Sequence, residues 1–431
     1  MEGRTLLAWL RVPDVAQFHF LFHERRCNPE IVVQHNVEDI GRNAMNSSER
    51  REIRYQRRKA RRAAKRAERI ENADDFDAVF TYSNLYDSYK KCLRNVKWKA
   101  SVQTYSANAP LNVFKSFHDL QGGKIDIHKG YEFDLYERGK KRHIRSVHIR
   151  ERVVQKCLCD YALVPVLGRS LIYDNGASTK GKGVKFARER LQAHLEKYIR
   201  QNGSDGYILI FDFKKFFDSI QHRVVLDVMK KGFEDRKIIG LTMKFVRVSG
   251  DIGLGLGSQI SQSLCLAVPN MLDHAIKERC RMKFYGRYMD DGYIIHKSKE
   301  KMKECMEVMK EICERLGLTL NLKKTHIRKL SGGFSFLKWK YHVLPSGKII
   351  KRPSRQSITR MRRRLKRFKK RVEDGLMSLK AVCQSFQSWR SHISKTRCYR
   401  SLKRMDELFM RLFGINYKEG CRCITKLCRE A

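Results

Sequence analysis

Tyr288-Met289-Asp290-Asp291 places two adjacent carboxylates between apolar runs, with Phe284 and Tyr285 before them and Tyr293, Ile294 and Ile295 after. The pattern reads as a β-hairpin with an acidic tip. Like charges that close repel, and desolvation adds to the cost. A hard cation that prefers oxygen ligands, Mg²⁺, relieves both. Asp is also an ordinary turn residue, so the hairpin alone does not decide. Upstream, Tyr207-Ile-Leu-Ile-Phe211 reads as a buried strand that ends in Asp212. A third carboxylate is what a pair of ions needs. Two Mg²⁺ about 3.5–4 Å apart activate an attacking 3′ hydroxyl and neutralise departing pyrophosphate. Asp212 and Asp290 would bridge the ions, with Asp291 close beside them. Asp218 lies past the strand, next to Ser219, and reads instead as the cap of a following helix (Ser219-Ile-Gln-His222).

These side chains need elements to hold them. Lys140 and Arg142 alternate on a strand pattern and so project from one face. Arg can take a phosphate through two parallel bonds, and a solvated basic hairpin is the alternative. Phe216 and Phe217 are neighbours and point in different directions, so one can pack while the other faces a ligand. Gly253-Leu-Gly-Leu-Gly-Ser-Gln-Ile-Ser-Gln262 is glycine-rich and precedes a helical stretch expected from Ser263. Glycines let backbone approach a ligand, and a helix start favours anions. Met302, Cys305, Met306, Met309, Ile312, Cys313 and Leu316 recur at helical spacing and predict an amphipathic helix. Lys324 follows it. A lysine there can protonate a pyrophosphate leaving group as general acid, or it is a surface lysine.

The composition points to a polyanionic partner. The 431 residues carry 91 Lys+Arg against 46 Asp+Glu, a formal net charge of +45. Self-repulsion on that scale opposes compaction, and a nucleic-acid backbone offsets it. No apolar run approaches the roughly 18–20 residues of a membrane span, so no membrane partner is expected. Leu6-Leu-Ala-Trp-Leu10 is broken by Arg11 and Asp14, which argues against a signal peptide. The 13 cysteines are scattered and odd in number, which predicts reduced thiols in a cytoplasmic protein. Cys157 and Cys159 read as helix core. Cys421, Cys423 and Cys428 lack standard zinc spacing. From Ser48 to Ile70 runs a very basic, helix-favouring stretch with Ser47 or Ser48 as candidate N-cap. Its cations suit RNA phosphates rather than base reading. The acidic stretch Asn72-Ala-Asp-Asp-Phe-Asp77 marks a boundary. From Arg352 the chain is again basic and helical, with a second helix expected from Leu402 to Phe413.

Taken in order, the motifs resemble those of bacterial, non-retroviral reverse transcriptases, the group that holds group II intron, diversity-generating and defence-associated enzymes. They are Phe133-Asp-Leu-Tyr-Glu-Arg-Gly-Lys-Lys-Arg-His-Ile144 with Arg150-Glu-Arg-Val-Val-Gln155, and Ile172-Tyr-Asp-Asn-Gly-Ala-Ser-Thr-Lys-Gly-Lys-Gly183. Then follow Phe211 to Ile220, Gly255-Leu-Gly-Ser-Gln-Ile-Ser-Gln262, Tyr288-Met-Asp-Asp291, Leu318 to Thr325 and Phe334 to Trp339. The resemblance covers roughly 76–413 and implies an α+β right-hand polymerase: fingers, a palm with an antiparallel sheet, and a helical thumb, preceded by a basic helical extension. The implied division is 1–75, 76–350 and 351–431. The resemblance implies an ion-binding set of Asp212, Phe213, Asp290 and Asp291, holding two Mg²⁺ for which Mn²⁺ can substitute. It implies a dNTP held by Lys140, Arg142, Phe217, Gln259 and Gln262, with Phe217 filling the space of a ribose 2′-OH. Phe336-Leu-Lys-Trp339 resembles the hairpin that grips a primer end, with Lys338 in place of the usual glycine.

Leu256-Gly257 with Ser261-Gln262 is the form seen in diversity-generating enzymes and some defence relatives, and it argues against an intron maturase. The expected reaction is RNA-directed DNA synthesis on a structured noncoding RNA, giving an RNA–DNA duplex, in antiphage defence. The rivals are a diversity-generating enzyme and an RNA-binding scaffold that has lost catalysis. The oligomeric state is left open.

Overall fold

The computed structural model describes residues 46–127, 130–137, 140–248 and 250–418. The chain divides into two compact units, one ending at Arg69 and the other starting at Ile70. Helix α1 (Ser47–Glu71) makes up nearly all of the described part of the first unit, and its last two residues belong to the second. Its cap is Asn46, not Ser47 or Ser48: the Asn46 side-chain oxygen accepts from the Ser48 and Glu49 amides at 3.0 and 2.9 Å, and Glu49 accepts the Asn46 amide at 3.0 Å. Asn followed three residues later by Glu is a reciprocal capping pair. Arg50, Arg51, Arg54, Arg57, Arg58 and Arg61 are all exposed on it.

The second unit opens with helices α2 (Phe76–Val79), α3 (Tyr82–Cys92), α4 (Ala100–Ala107) and α5 (Ala109–Gln121), then the antiparallel hairpin β1 (Tyr131–Glu137) and β2 (Lys140–Ser146). The acidic stretch before α2 ties structure together. Asp74 accepts the amides of Glu234 and Asp235 at 2.8 and 3.1 Å, while Asp235 accepts the Phe76 amide at 2.7 Å. Helices α6 (Ile149–Cys157), α7 (Val164–Leu167) and α8 (Val184–Asn202) follow, with a π-helical turn, Leu158–Leu163, after α6. Cys157 and Cys159 are fully buried there, as expected.

The palm is a four-stranded sheet in the order β4-β5-β3-β6: β3 (Tyr207–Asp212), β4 (Phe284–Tyr288), β5 (Asp291–His296) and β6 (His326–Lys329), all antiparallel. Alternation along each strand feeds two cores. Leu209, Phe211, Tyr285 and Ile294 pack on one face, and Ile208, Ile210, Phe284, Tyr293 and Ile295 on the other. Both faces are covered, which is why β3 reads as an unbroken apolar run up to Asp212. Between β3 and β4 lie α9 (Phe216–Ser219), α10 (His222–Gly232), α11 (Arg236–Arg247), α12 (Gln259–Ala267) and α13 (Asn270–His274). Helix α14 (Lys299–Arg315), capped by Ser298, buries Met302, Cys305, Met309, Ile312 and Cys313 on the predicted face. Gly292 is demanded by packing, because a Cβ there would run into the ring of its cross-strand neighbour Phe211.

A second antiparallel sheet, β7 (Phe334–Phe336), β8 (Trp339–Val343) and β9 (Ile349–Pro353), lies on the β3/β5 face that carries Tyr293. Its first turn is Leu337-Lys338, both with positive φ, 46° and 72°. Arg188 of α8 is buried behind that turn. It donates to the Leu337 carbonyl, lies 4.1 Å from the Trp339 ring centroid and approaches His392 at 3.5 Å. The chain then enters three helices, α15 (Arg355–Glu373), α16 (Leu379–Ile393) and α17 (Tyr399–Phe413). They close on Leu365, Phe368, Val382, Phe386, Leu408 and Phe409, and the basic residues of α15 face solvent. The second unit thus has the α+β right-hand polymerase fold, with an antiparallel palm and a helical thumb.

Candidate functional site

Strand register brings the acidic residues together. Asp212 ends β3 directly opposite Asp291, the first residue of β5, so their Cα atoms are roughly 5 Å apart. Tyr288 pairs with Asp291 across β4 and β5, which leaves Met289-Asp290 as the two-residue turn. Met289 has φ +53°. A two-residue hairpin favours that conformation at its first central position, but usually with glycine. For Met it costs about 1–2 kcal/mol. The Asp290 carbonyl is fixed by the Phe213 amide at 3.3 Å.

The carboxylates are not alike. Asp212 is buried, and Lys324 Nζ bridges both its oxygens at 2.7 and 2.8 Å. Asn321 Nδ2 donates to the same carboxylate at 3.1 Å, and the Asn321 amide donates to the Asp212 carbonyl at 2.7 Å. Burial pushes the Asp291 carboxyl up to about 7, helped by the charges of Asp290 and Asp212 and opposed by Lys324. Burial alone would lower Lys324, but the Asp212 carboxylate against it holds it above the ordinary lysine value. Among the described residues no three acidic, His or Cys side chains already form a closed shell for an ion. Lys324 supplies the positive charge against Asp212. Three crowded carboxylates with one lysine as counter-charge nevertheless suit a divalent cation, since a second positive charge would lower Asp291 and restore its ionised form.

A cavity of about 900 Å³ opens on this cluster. Asp212, Phe213, Phe217, Asp290, Asn321 and Lys324 line it. Phe216 is buried, and Phe217 is half-buried against it with ring centroids 5.7 Å apart. Both border the cavity, Phe216 from a buried position and Phe217 from a half-buried one. Lys141 and His143 of β2 border the same space. His143 lies 3.2 Å from Asp134 and 3.3 Å from Glu132, and these bonds raise its pKa. The side chains of Lys140 and Arg142 lie outside the described residues, as do Cys421, Cys423 and Cys428.

Other expectations need correction. The helix after the glycine segment starts at Gln259 rather than Ser263, because Ser258 caps it and no breaker intervenes. Gln259 and Gln262 therefore sit on the first turn of α12 and do not line the acidic cavity. The Gln262 side chain meets the Ser178 hydroxyl at 3.5 Å. Asp218 does not cap α10. It belongs to the short helix α9 and lines the cavity, and the cap position of α10 is Gln221, without a side-chain bond. Sequence reasoning passed over Asn321, although it stands in the Leu318–Thr325 stretch, three residues before Lys324. It also passed over Arg287, directly before the hairpin tip.

No curated protein matches the chain. Among solved structures it is similar to apo telomerase from Candida tropicalis truncated from the C-terminal domain, at 16% identity and a TM-score of 0.40, covering 56% of this chain and 60% of that one. It is also similar to telomerase from Candida albicans in complex with a TWJ fragment of telomeric RNA, at 13% identity and a TM-score of 0.40, covering 68% of this chain and 59% of that one. The chain thus spans less than two thirds of either. The family described as reverse transcriptase (RNA-dependent DNA polymerase) matches residues 127–343. That match covers half of the chain and contains Asp212, Asp290, Asp291 and Lys324, so the protein belongs to the reverse transcriptase family.

Proposed function

We propose that this protein is an RNA-directed DNA polymerase that copies a partner noncoding RNA. The observation that carries the reading is the register that sets Asp212 against Asp291, with Asp290 at the adjoining turn and Lys324 on Asp212. Asp212, Asp290 and Asp291, with Phe213 beside them, would hold two Mg²⁺, for which Mn²⁺ can substitute. When bound, the ions activate the primer 3′ hydroxyl and stabilise charge on the departing pyrophosphate. The side chains of Asp212, Asp290 and Asp291 orient that site. Asp291, whose carboxyl burial pushes up to about 7, would hold a cation in its ionised form. Lys324, which the Asp212 carboxylate holds above the ordinary lysine value, would carry the proton for the leaving group. Phe217 fills the volume of a ribose 2′-OH and so selects dNTPs. Lys140 and Arg142 are the proposed contacts to the triphosphate, and Gln259 and Gln262, on the first turn of α12 outside the acidic cavity, the proposed contacts to the templating pair.

Primer extension on an RNA template with dNTPs tests the reading. Asp290→Ala and Asp291→Ala should each lower the rate by about 10³-fold, the several kcal/mol expected of the ions they hold. Equal extension by wild type and both variants would leave an RNA-binding scaffold as the better account. In the same assay Phe217→Ala should admit rNTPs, narrowing the preference for dNTPs by about 10–100-fold. An unchanged ratio removes its steric role.

The biological setting belongs to the same proposal. The six exposed arginines of α1 and the exposed cations of α15 support a structured RNA partner and an RNA–DNA duplex product. We assign 1–75 to RNA binding, 76–350 to fingers and palm, and 351–431 to the thumb and tail. We place the protein among bacterial defence-associated enzymes in the cytoplasm; the scattered, odd-numbered cysteines of the sequence support a reducing compartment. Sequencing the nucleic acid that co-purifies from the native locus tests this placement. A template and variable repeat pair beside the gene would instead favour the diversity-generating reading, which the Leu256-Gly257 and Ser261-Gln262 form supports.

A further inference from the structure

Arg287 is the largest fully buried side chain of the described residues, and none of the proposed chemistry uses it. Its guanidinium is fully engaged. Nε and Nη2 clasp Asp273 of α13 at 2.8, 3.1 and 2.6 Å; Nη2 also donates to the Leu266 carbonyl at 3.0 Å; Nη1 donates to the Met289 carbonyl at 3.0 Å. Tyr285 donates its hydroxyl to the same Asp273 carboxylate at 2.5 Å. The Arg287 backbone is held as well, through the Asp174 carbonyl at 3.2 Å and the Gly176 amide at 2.9 Å. One side chain therefore joins the end of α12, helix α13 and the turn that carries Asp290.

Stability alone is a weak reason for this arrangement. A buried ion pair gives little over apolar residues of the same volume. What apolar residues cannot do is hold the Met289 carbonyl. Met289 sits at positive φ, in a conformation that persists only where its surroundings over-determine it. The bond from Nη1 is a restraint of that kind, placed one residue before the first acid of the tip. Asp273 in turn fixes the guanidinium plane.

We propose that Arg287, oriented by Asp273, is a positioning residue: by pinning the Met289 carbonyl it sets the direction of the Asp290-Asp291 carboxylates and thereby the affinity of the site for divalent cations. It also links that direction to α12, whose first turn carries Gln259 and Gln262. The inference rests on the polymerase reading above.

The test uses the full chain, wild type and two variants. Arg287→Lys keeps a charge partner for Asp273 but cannot reach both carbonyls. Arg287→Met combined with Asp273→Leu replaces the pair by apolar volume. Mn²⁺ binding is titrated by electron paramagnetic resonance, with the signal of Asp290→Ala subtracted. Thermal midpoints and single-turnover primer extension are recorded beside it. The expected result is folded variants that bind Mn²⁺ about 10–100-fold more weakly, as when a residue supporting a metal ligand is removed. The extension rate should fall in step while the dNTP concentration for half-maximal rate stays near wild type. Wild-type Mn²⁺ affinity in a folded variant, with or without a lowered midpoint, overturns the proposal. So does failure of both variants to fold, which would make the pair a core requirement only. If the wild type binds Mn²⁺ but extends no primer, the polymerase reading falls and the Mn²⁺ comparison still decides the role of Arg287. If it binds none, both fall.

Discussion

Asp291 is the side chain whose state is set most strongly by its surroundings. Its carboxyl stands at about 7 against an ordinary 3.8. A folded-state value above the unfolded one means the proton is held more tightly in the native protein. The associated stability is complete below about 4 and is lost as pH rises to about 7. Metal-free protein should therefore lose stability over that window, and Asp291→Asn should flatten the loss, as urea melts across pH would show. Divalent affinity has the opposite sense: it should climb as pH rises through about 7 and level off above. The three acids were legible in the sequence because carboxylates in apolar strands are conspicuous; Lys324 read equally well as a surface lysine until the structure set it on Asp212. Asn321 and Arg287 were not legible. An asparagine in a turn and an arginine in a strand carry no local signature, and their roles appear only when the backbone brings Asp212, Met289 and Asp273 within their reach.

At the scale of elements, β3 and the β4–β5 hairpin followed from their apolar runs, and α14 from its period, whereas β6, His326–Lys329, has no such run. The errors lay at ends. Asn46 caps α1 ahead of the serines, and α12 begins at Gln259, because a cap is decided by hydrogen bonds over three residues rather than by where apolar periodicity starts. Asp218 failed as a cap for the same reason: the chain turns once more, as α9, before α10 begins. The pairing of β3 with β5 depends on small volume at Gly292 beneath Phe211. Gly292→Ala should displace that ring and cost about 1–3 kcal/mol of stability, as overpacking does. The thermal midpoint and the primer-extension rate should fall together, since the register of Phe211 and Gly292 also sets that of Asp212 and Asp291.

Across the whole molecule the dominant quantity is the net charge of +45. If α1 holds RNA phosphates, replacing Arg50, Arg51, Arg54, Arg57, Arg58 and Arg61 with alanine should flatten the salt dependence of RNA binding. The expected change is about 0.7 in the log–log slope for each phosphate that is no longer neutralised. An unchanged slope would place the RNA elsewhere. Length and charge led to the expectation of a nucleic-acid partner without saying where it would lie, since a count of cations has no direction. The joint between palm and thumb has a further consequence. Arg188 is wedged there between a carbonyl, a tryptophan face and His392, and no carboxylate pairs with it among the described residues. A guanidinium held that way recovers hydration as soon as water reaches it, whereas an ion pair would resist. Separating Arg188 from His392 would therefore recover part of its cost through solvation of the guanidinium.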